Sequence, residues 1–122
     1  MAITRPLDPN FPIERQLGID AAPIVLVIAF TVDKADEEAL LDAVQAQGTF
    51  MKQQPGFISS QVHRAVGDGA TYFIYAVWES TKAFGAAFAH PNFQPLLAAL
   101  PSSAVVSPHL FQKIAVPGLS VA

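Results

Sequence analysis

His63, Tyr72 and Trp78 are the side chains of this 122-residue chain whose types and positions suit chemistry on a flat organic molecule. An unperturbed imidazole titrates near pH ~6.5, so His63 is suited to abstracting a proton around neutrality. Tyr72 offers a phenolic hydroxyl as a hydrogen-bond donor, and Trp78 a broad face on which an aromatic ligand can stack. Ser59 and Gln61 precede His63 at alternate positions. If Asp68-Gly69 forms a two-residue turn, Gly67 faces Ala70, and Ser59, Gln61 and His63 stand opposite Trp78, Ala76 and Ile74. Alternation then gathers Ser59, Gln61, His63, Tyr72, Ile74 and Trp78 on one face, and leaves Ile58, Ser60, Val62, Arg64 and Val66 with Phe73, Tyr75 and Val77 on the other. A three-residue turn exchanges the faces of one strand. Each side chain also has a structural reading: His63 as a strand residue satisfied by a backbone carbonyl, Trp78 as a core plug under a helix, Tyr72 as an ordinary strand aromatic.

Other chemistry is poorly supplied. Cys 0 removes thiolate catalysis, disulfides and Cys-ligated metals, and no two His residues stand at i, i+4, so no metal is expected. His90 and His109 read as surface or capping residues. Arg64 could hold an anionic group, or pair with Glu79 or with an acid across a subunit interface. Gly67-Asp68-Gly69 leads into a strand rather than a helix, which is no phosphate loop.

The elements that must position these residues follow from hydrophobic period and punctuation. Ile24 to Val32 is almost uninterrupted aliphatic sequence, the pattern of a central strand covered on both faces. Asp36, with Glu37 and Glu38 behind it, caps a helix over 36–53 that carries Leu40, Leu41, Val44, Gln47 and Met51 and stops at Pro55-Gly56. Phe57–Val66 and Thr71–Glu79 form a hairpin. Ser80 or Thr81 caps a second helix bearing Phe84, Ala87 and Phe88, broken near Pro91 and resumed through Phe93, Leu96, Leu97 and Leu100. Ala104 to Val116 is a last strand whose Pro108 demands an edge or a bulge. Residues 1–23, punctuated by Pro6, Pro9, Pro12 and Pro23, read as an extended arm, and 117–122 as a tail around the 24–116 domain. Strand, helix, strand, strand, helix, strand is the split βαβ order of an α+β, ferredoxin-like domain with an antiparallel sheet. Its helices cover one face, so an apolar opposite face calls for a second copy packed sheet to sheet.

Composition narrows the function classes. Charged residues are 14% of the chain and hydrophobic ones 52%, against a usual charged share of roughly a quarter. After Asp68 only Glu79, Lys82 and Lys113 carry charge, so part of this half faces a partner or a cavity rather than water. A net charge of -3 without a basic stripe excludes a phosphate-backbone partner, and hence nucleic acid. The apolar run Ile24–Phe30 is far short of the ~20 residues that span a bilayer, and no apolar signal core follows Arg5; a cytoplasmic protein is expected, with no membrane partner.

Pro55-Gly56-Phe57, His63-Arg64, Trp78-Glu79-Ser80 and Ala89-His90-Pro91-Asn92-Phe93, in that order over residues 24–115, resemble the antibiotic biosynthesis monooxygenase family. The resemblance implies a dimeric α/β barrel with a ligand pocket between each sheet and its own helices. It also implies a choice of activities: cofactor-free oxygenation of aromatic polyketides and quinols, haem degradation, or isomerisation of a small molecule. In the polyketide oxygenases an Asn stands four residues before the strand Trp; Ile74 holds that position here. The haem-degrading members pair an Asn on the first strand with a His on the second helix; Ile24–Val32 has no Asn, and His90 lies near the His position.

The expected reading is a homodimeric oxygenase without cofactor, acting on a hydrophobic phenolic, anthrone-like or quinol substrate. His63 would be the base, Trp78 and Tyr72 its catalytic neighbours, and Ser59, Gln61, Ile74, Phe84, Phe88 and Phe93 the substrate-binding lining. The alternative is a non-catalytic dimer that shields a hydrophobic small molecule. Haem binding or degradation is the third reading.

Overall fold

A computed structural model describes residues 1–122. The aliphatic run Ile24–Thr31 (β2) is the middle of the sheet, pairing antiparallel with Thr71–Trp78 (β4) on one side and Val105–Phe111 (β5) on the other. A short 3-10 turn over Lys34–Asp36 leads into Glu37–Lys52 (α2). Asp36 is the N-cap by position, yet its carboxylate makes no cap bond; it accepts 2.7 Å from Ser103 Oγ, which in turn accepts from the Asp33 N–H. Leu40, Ala43 and Val44 are the buried face of α2, while Leu41 faces solvent.

After α2 the chain turns at Gly56, whose φ of +88° favours glycine and where a Cβ would lie 2.4 Å from Ala83 Cβ. Phe57–Arg64 (β3) then pairs antiparallel with β4 and completes the edge. Thr81–Phe88 (α3) is capped by Ser80, whose Oγ accepts from the Ala83 N–H at 3.0 Å. The chain breaks at His90-Pro91 and resumes as the single turn Gln94–Leu97 (α4) before β5.

The order β5-β2-β4-β3 is that of an α+β, ferredoxin-like split βαβ sheet, with α2, α3 and α4 on one face. Pro108 is accommodated because the N-terminal strand reaches only Val105 and Val106, leaving no strand beyond β5 at Pro108. β5 ends at Phe111 rather than at Val116.

Residues 1–23 are only partly extended. Ile3–Thr4 (β1) adds a parallel pair to the edge of β5, and Ile13–Gln16 (α1) is one helical turn, too short to show a period in sequence. The Gln16 side-chain amide accepts from the Leu110 N–H and donates to its carbonyl, both at 2.9 Å, standing in for a neighbouring strand. An edge that would otherwise offer free N–H and C=O groups is thereby covered.

The β3–β4 register departs from the two-residue turn expected from Asp68-Gly69. The Ala65 N–H bonds the Thr71 carbonyl at 2.9 Å, the connection runs from Val66 to Ala70 with Gly67 at positive φ, and Lys34 Nζ holds the Asp68 carbonyl. Arg64, His63, Val62, Gln61, Ser60 and Ser59 therefore face Tyr72, Phe73, Ile74, Tyr75, Ala76 and Val77. This is a slip of one residue, and it turns all of β3 over. Ser60, Val62 and Arg64 point to the helices; Ser59, Gln61 and His63 point to the outer face. A bulge at Ile58 returns Phe57 to the inner face beside Trp78.

Candidate functional site

The core is two clusters rather than one. Ile24, Leu26, Ala76, Trp78, Phe84, Ala87 and Leu110 pack at one end of the sheet, and Phe30, Val32, Leu40, Val44, Tyr72 and Ala104 at the other. Ile28 and Ile74 touch both. Between them lies a cavity of about 580 Å³, bounded by the sheet, by α2, α3 and α4, and by the arm. At roughly 24 cal/mol per Å³ a dry void of that size would cost on the order of 14 kcal/mol, as much as the whole stability of a typical domain. The space is therefore one that solvent or a ligand fills.

One wall is a continuous run of aromatic rings. Trp78, 1% exposed, meets Phe57 and Phe84 edge to face at 5.4 and 5.5 Å between centroids, and Phe84–Phe88 and Phe88–Phe93 follow at 5.9 and 5.7 Å. Trp78 is at once the core plug and a lining residue. Edge-to-face packing holds Phe57, Trp78 and Phe84 against one another, and tilted ring contacts carry the wall on to Phe88 and Phe93.

The structure brings Trp78, Ile74, Phe84, Phe88 and Phe93 together on this lining. It does not bring the others. His63 lies exposed on the outer face with Nδ1 3.3 Å from the Phe73 carbonyl oxygen and its ring against Phe73. Ser59 and Gln61 are on the same outer face, turned there by the register. Tyr72 faces the helices but sits in the second cluster, off the cavity, and its hydroxyl donates to Glu37. Arg64 donates to the same Glu37 Oε2 at 3.0 Å, and its guanidinium lies 5.8 Å from the Tyr72 ring centre. Glu37, rather than Glu79, is thus the partner of Arg64. Bonding to Glu37, with burial adding to it and the Arg64 charge opposing it, holds the Tyr72 hydroxyl above its ordinary value of 10.0. His90 Nδ1 accepts from the Asn92 N–H at 3.0 Å, a capping role, and buried His109 contacts Gln16.

Polar groups on the cavity are few: Thr4, Glu14, Gln47, Ser60 and Gln94. One N–H of each amide, Gln47 and Gln94, is bonded to the carbonyl of Leu96 and Phe88, at 3.2 and 2.7 Å, and neither amide oxygen accepts a hydrogen bond within the protein. Gln47 was visible in sequence as the one polar residue on the apolar stripe of α2. Ser60 was hidden by the register, and Glu14 by its place in the arm. No three His, Asp or Glu side chains converge anywhere in the fold.

The sheet with helices on one face is a fold shared by proteins of known structure. The profile of the antibiotic biosynthesis monooxygenase family matches residues 23–98. The chain belongs to the antibiotic biosynthesis monooxygenase family. SnoaB of Streptomyces nogalater, a cofactor-independent oxygenase, is 28% identical and superposes with a TM-score of 0.72 over 80% of this chain and 99% of its own. A candidate monooxygenase from Shewanella loihica PV-4 is 30% identical, with a TM-score of 0.63 over 81% of this chain and 100% of its own. No functionally curated protein matches the sequence. Within this monooxygenase family the profile covers the segments that build the cavity's β2, β3, β4, α2, α3 and α4 walls, and it starts where the arm ends.

Proposed function

We propose that this protein is a cofactor-independent monooxygenase, cytoplasmic and homodimeric, whose substrate is a hydrophobic phenolic, anthrone-like or quinol molecule held in the cavity. The observation that carries the reading is the aromatic wall from Phe57 through Trp78 to Phe93, facing a space of about 580 Å³ in a fold superposable on the oxygenase SnoaB. A flat electron-rich ring fits that wall, and a substrate hydroxyl finds acceptors in the oxygens of Gln47 and Gln94 and the Ser60 hydroxyl. Apolar surroundings strip water from a substrate anion. With its proton released to solvent, the substrate anion passes an electron to dioxygen, the two radicals join at carbon, and the peroxide collapses with loss of water. For a ring CH₂ the balance is CH₂ + O₂ → C=O + H₂O: the substrate supplies all the electrons, and the second oxygen atom leaves as water.

His63 is not the base in this arrangement, because it faces away from the cavity. Oxygen uptake with anthrone and a panel of hydroquinones, in chelator and without flavin, is the test. Uptake above the buffer rate that survives His63→Ala supports the reading; no uptake with any substrate refutes it. Binding without catalysis is the second reading, favoured by Ile74 where the polyketide oxygenases carry Asn and by a lining free of imidazole. The same lack of imidazole leaves the haem reading without a histidine ligand, and no helix of the structure is long and apolar enough to cross a membrane.

The proposed dimer uses the outer sheet face, where Val27, Ala29, Tyr75 and Val77 are only half-buried and Phe73 is 36% exposed. Burying a sheet face of this kind against a second copy is favourable through the apolar area removed from water. Sedimentation at micromolar concentration is expected to show a dimer, and Phe73→Asp to shift it to monomer.

A further inference from the structure

The only ionisable side chain on the cavity comes from the part of the chain that the family profile does not reach. The profile begins at residue 23, and SnoaB matches 80% of this chain while using 99% of its own length. The arm is nonetheless built into the domain at three places. The Ile3 and Arg5 N–H groups bond the carbonyls of Ala104 and Val106 at 2.9 and 2.8 Å, Gln16 clasps Leu110, and the Thr81 N–H bonds the Ala21 carbonyl at 2.9 Å. Ile13 and Leu17 pack into the Trp78 cluster and Ala2 into the Tyr72 cluster, so the arm spans the cavity from one core half to the other.

Glu14 stands on that span, exposed at the rim and on the lining. It makes no hydrogen bond and no ion pair within the protein. Its neighbour Arg15 is turned away, with its guanidinium 4.5 Å from the Phe11 ring centre and Nη1 on the Asn10 carbonyl at 3.1 Å. Of the 28 residues on the cavity, 21 are hydrophobic, so one carboxylate is a large local charge. Such a group accepts a hydrogen bond from a ligand hydroxyl and repels a ligand anion.

The geometry points to the arm as the specificity-determining wall of the cavity, with Glu14 selecting an apolar ligand that carries a neutral hydrogen-bond donor at its arm-facing end and rejecting one with an anionic group there. This rests on the cavity being the ligand site, as proposed above, and adds a selection rule to it.

Two nearly isosteric probes separate the possibilities: 2-(hydroxymethyl)anthraquinone and anthraquinone-2-carboxylate, titrated against the fluorescence of Trp78, the single Trp of the chain. The full chain is expected to prefer the alcohol by about tenfold or more, and Glu14→Gln to tighten the carboxylate by about tenfold while moving the alcohol little. Because Glu14 bonds nothing in the protein, Glu14→Gln should unfold at the same temperature as the parent. An identical alcohol-to-carboxylate ratio in both proteins overturns the assignment of Glu14. Failure of both probes to quench Trp78 overturns it together with the cavity as ligand site. Discrimination through Glu14 without oxygen uptake on any substrate keeps the selection rule and removes the oxygenase chemistry.

Discussion

The two halves of the core that flank the cavity are held by different physics. At the Trp78 end, contacts are ring against ring, and the same rings that hold the helices down form the ligand wall. At the Tyr72 end, the buried phenol is tied through Glu37 to Arg64, and Leu40 is fully buried without touching the cavity. Both halves reach the cavity, the second through Phe30 and Val44, but Leu40 and the Tyr72–Glu37–Arg64 ties that anchor this second half lie off it. A cavity can sit inside a small core when one side of it is anchored independently of what the cavity contains.

Leu40→Ala tests the anchored half and should have the largest effect. Removing a fully buried Leu that no cavity water can replace costs about 2–5 kcal/mol, read from urea denaturation, with probe affinity at Trp78 unchanged in the folded protein. A parallel loss of affinity would show that the halves are not separable. Trp78→Phe is the counterpart at the other end: a smaller stability loss, about 1–2 kcal/mol because solvent can enter the space, together with several-fold slower oxygen uptake. A stability loss without any change in uptake would make Trp78 a core plug only.

Ile74→Asn sharpens the contrast from the middle, where both clusters meet. Placing an amide on the lining should lower stability by about 1 kcal/mol, while oxygen uptake with anthrone rises above the parent rate. Unchanged uptake would mean that the amide is not the missing ingredient.

The smallest effect belongs to Tyr72→Phe, and it depends on pH. A hydroxyl whose value is raised on folding binds its proton more tightly in the native state, so its contribution is complete below pH 10.0 and is lost as pH climbs from there through the folded value. Denaturation across that alkaline range should show the parent losing its advantage over Tyr72→Phe as pH rises; a constant difference would refute the Tyr72–Glu37 bond as its source.

What could be read before folding follows the range of the interactions involved. β2, α2, β4 and α3 are specified by residues within one element: an aliphatic run, a 3.6-residue stripe, the Ser80 cap, the stop at Pro55-Gly56. Trp78 and the three Phe residues of the second helical region were legible for the same reason, since on a half-buried strand or helix large aromatics turn inward. His63, Ser59 and Gln61 were misplaced because a strand face depends on register. Register here was decided by a connection from Val66 to Ala70, closed by Lys34 from another part of the chain.

The chain's own sequence thus determined its α+β order, the limits of α2 and α3 and the aromatic stock of its cavity, all set by local propensity and hydrophobic period. Only the tertiary structure decided which face of β3 looks at the helices, that Tyr72 is bound to Glu37 and Arg64, and that Glu14 reaches the cavity. Those outcomes turn on contacts between residues far apart in the chain, where a one-residue shift in pairing reverses every side chain of a strand and no local signal records it.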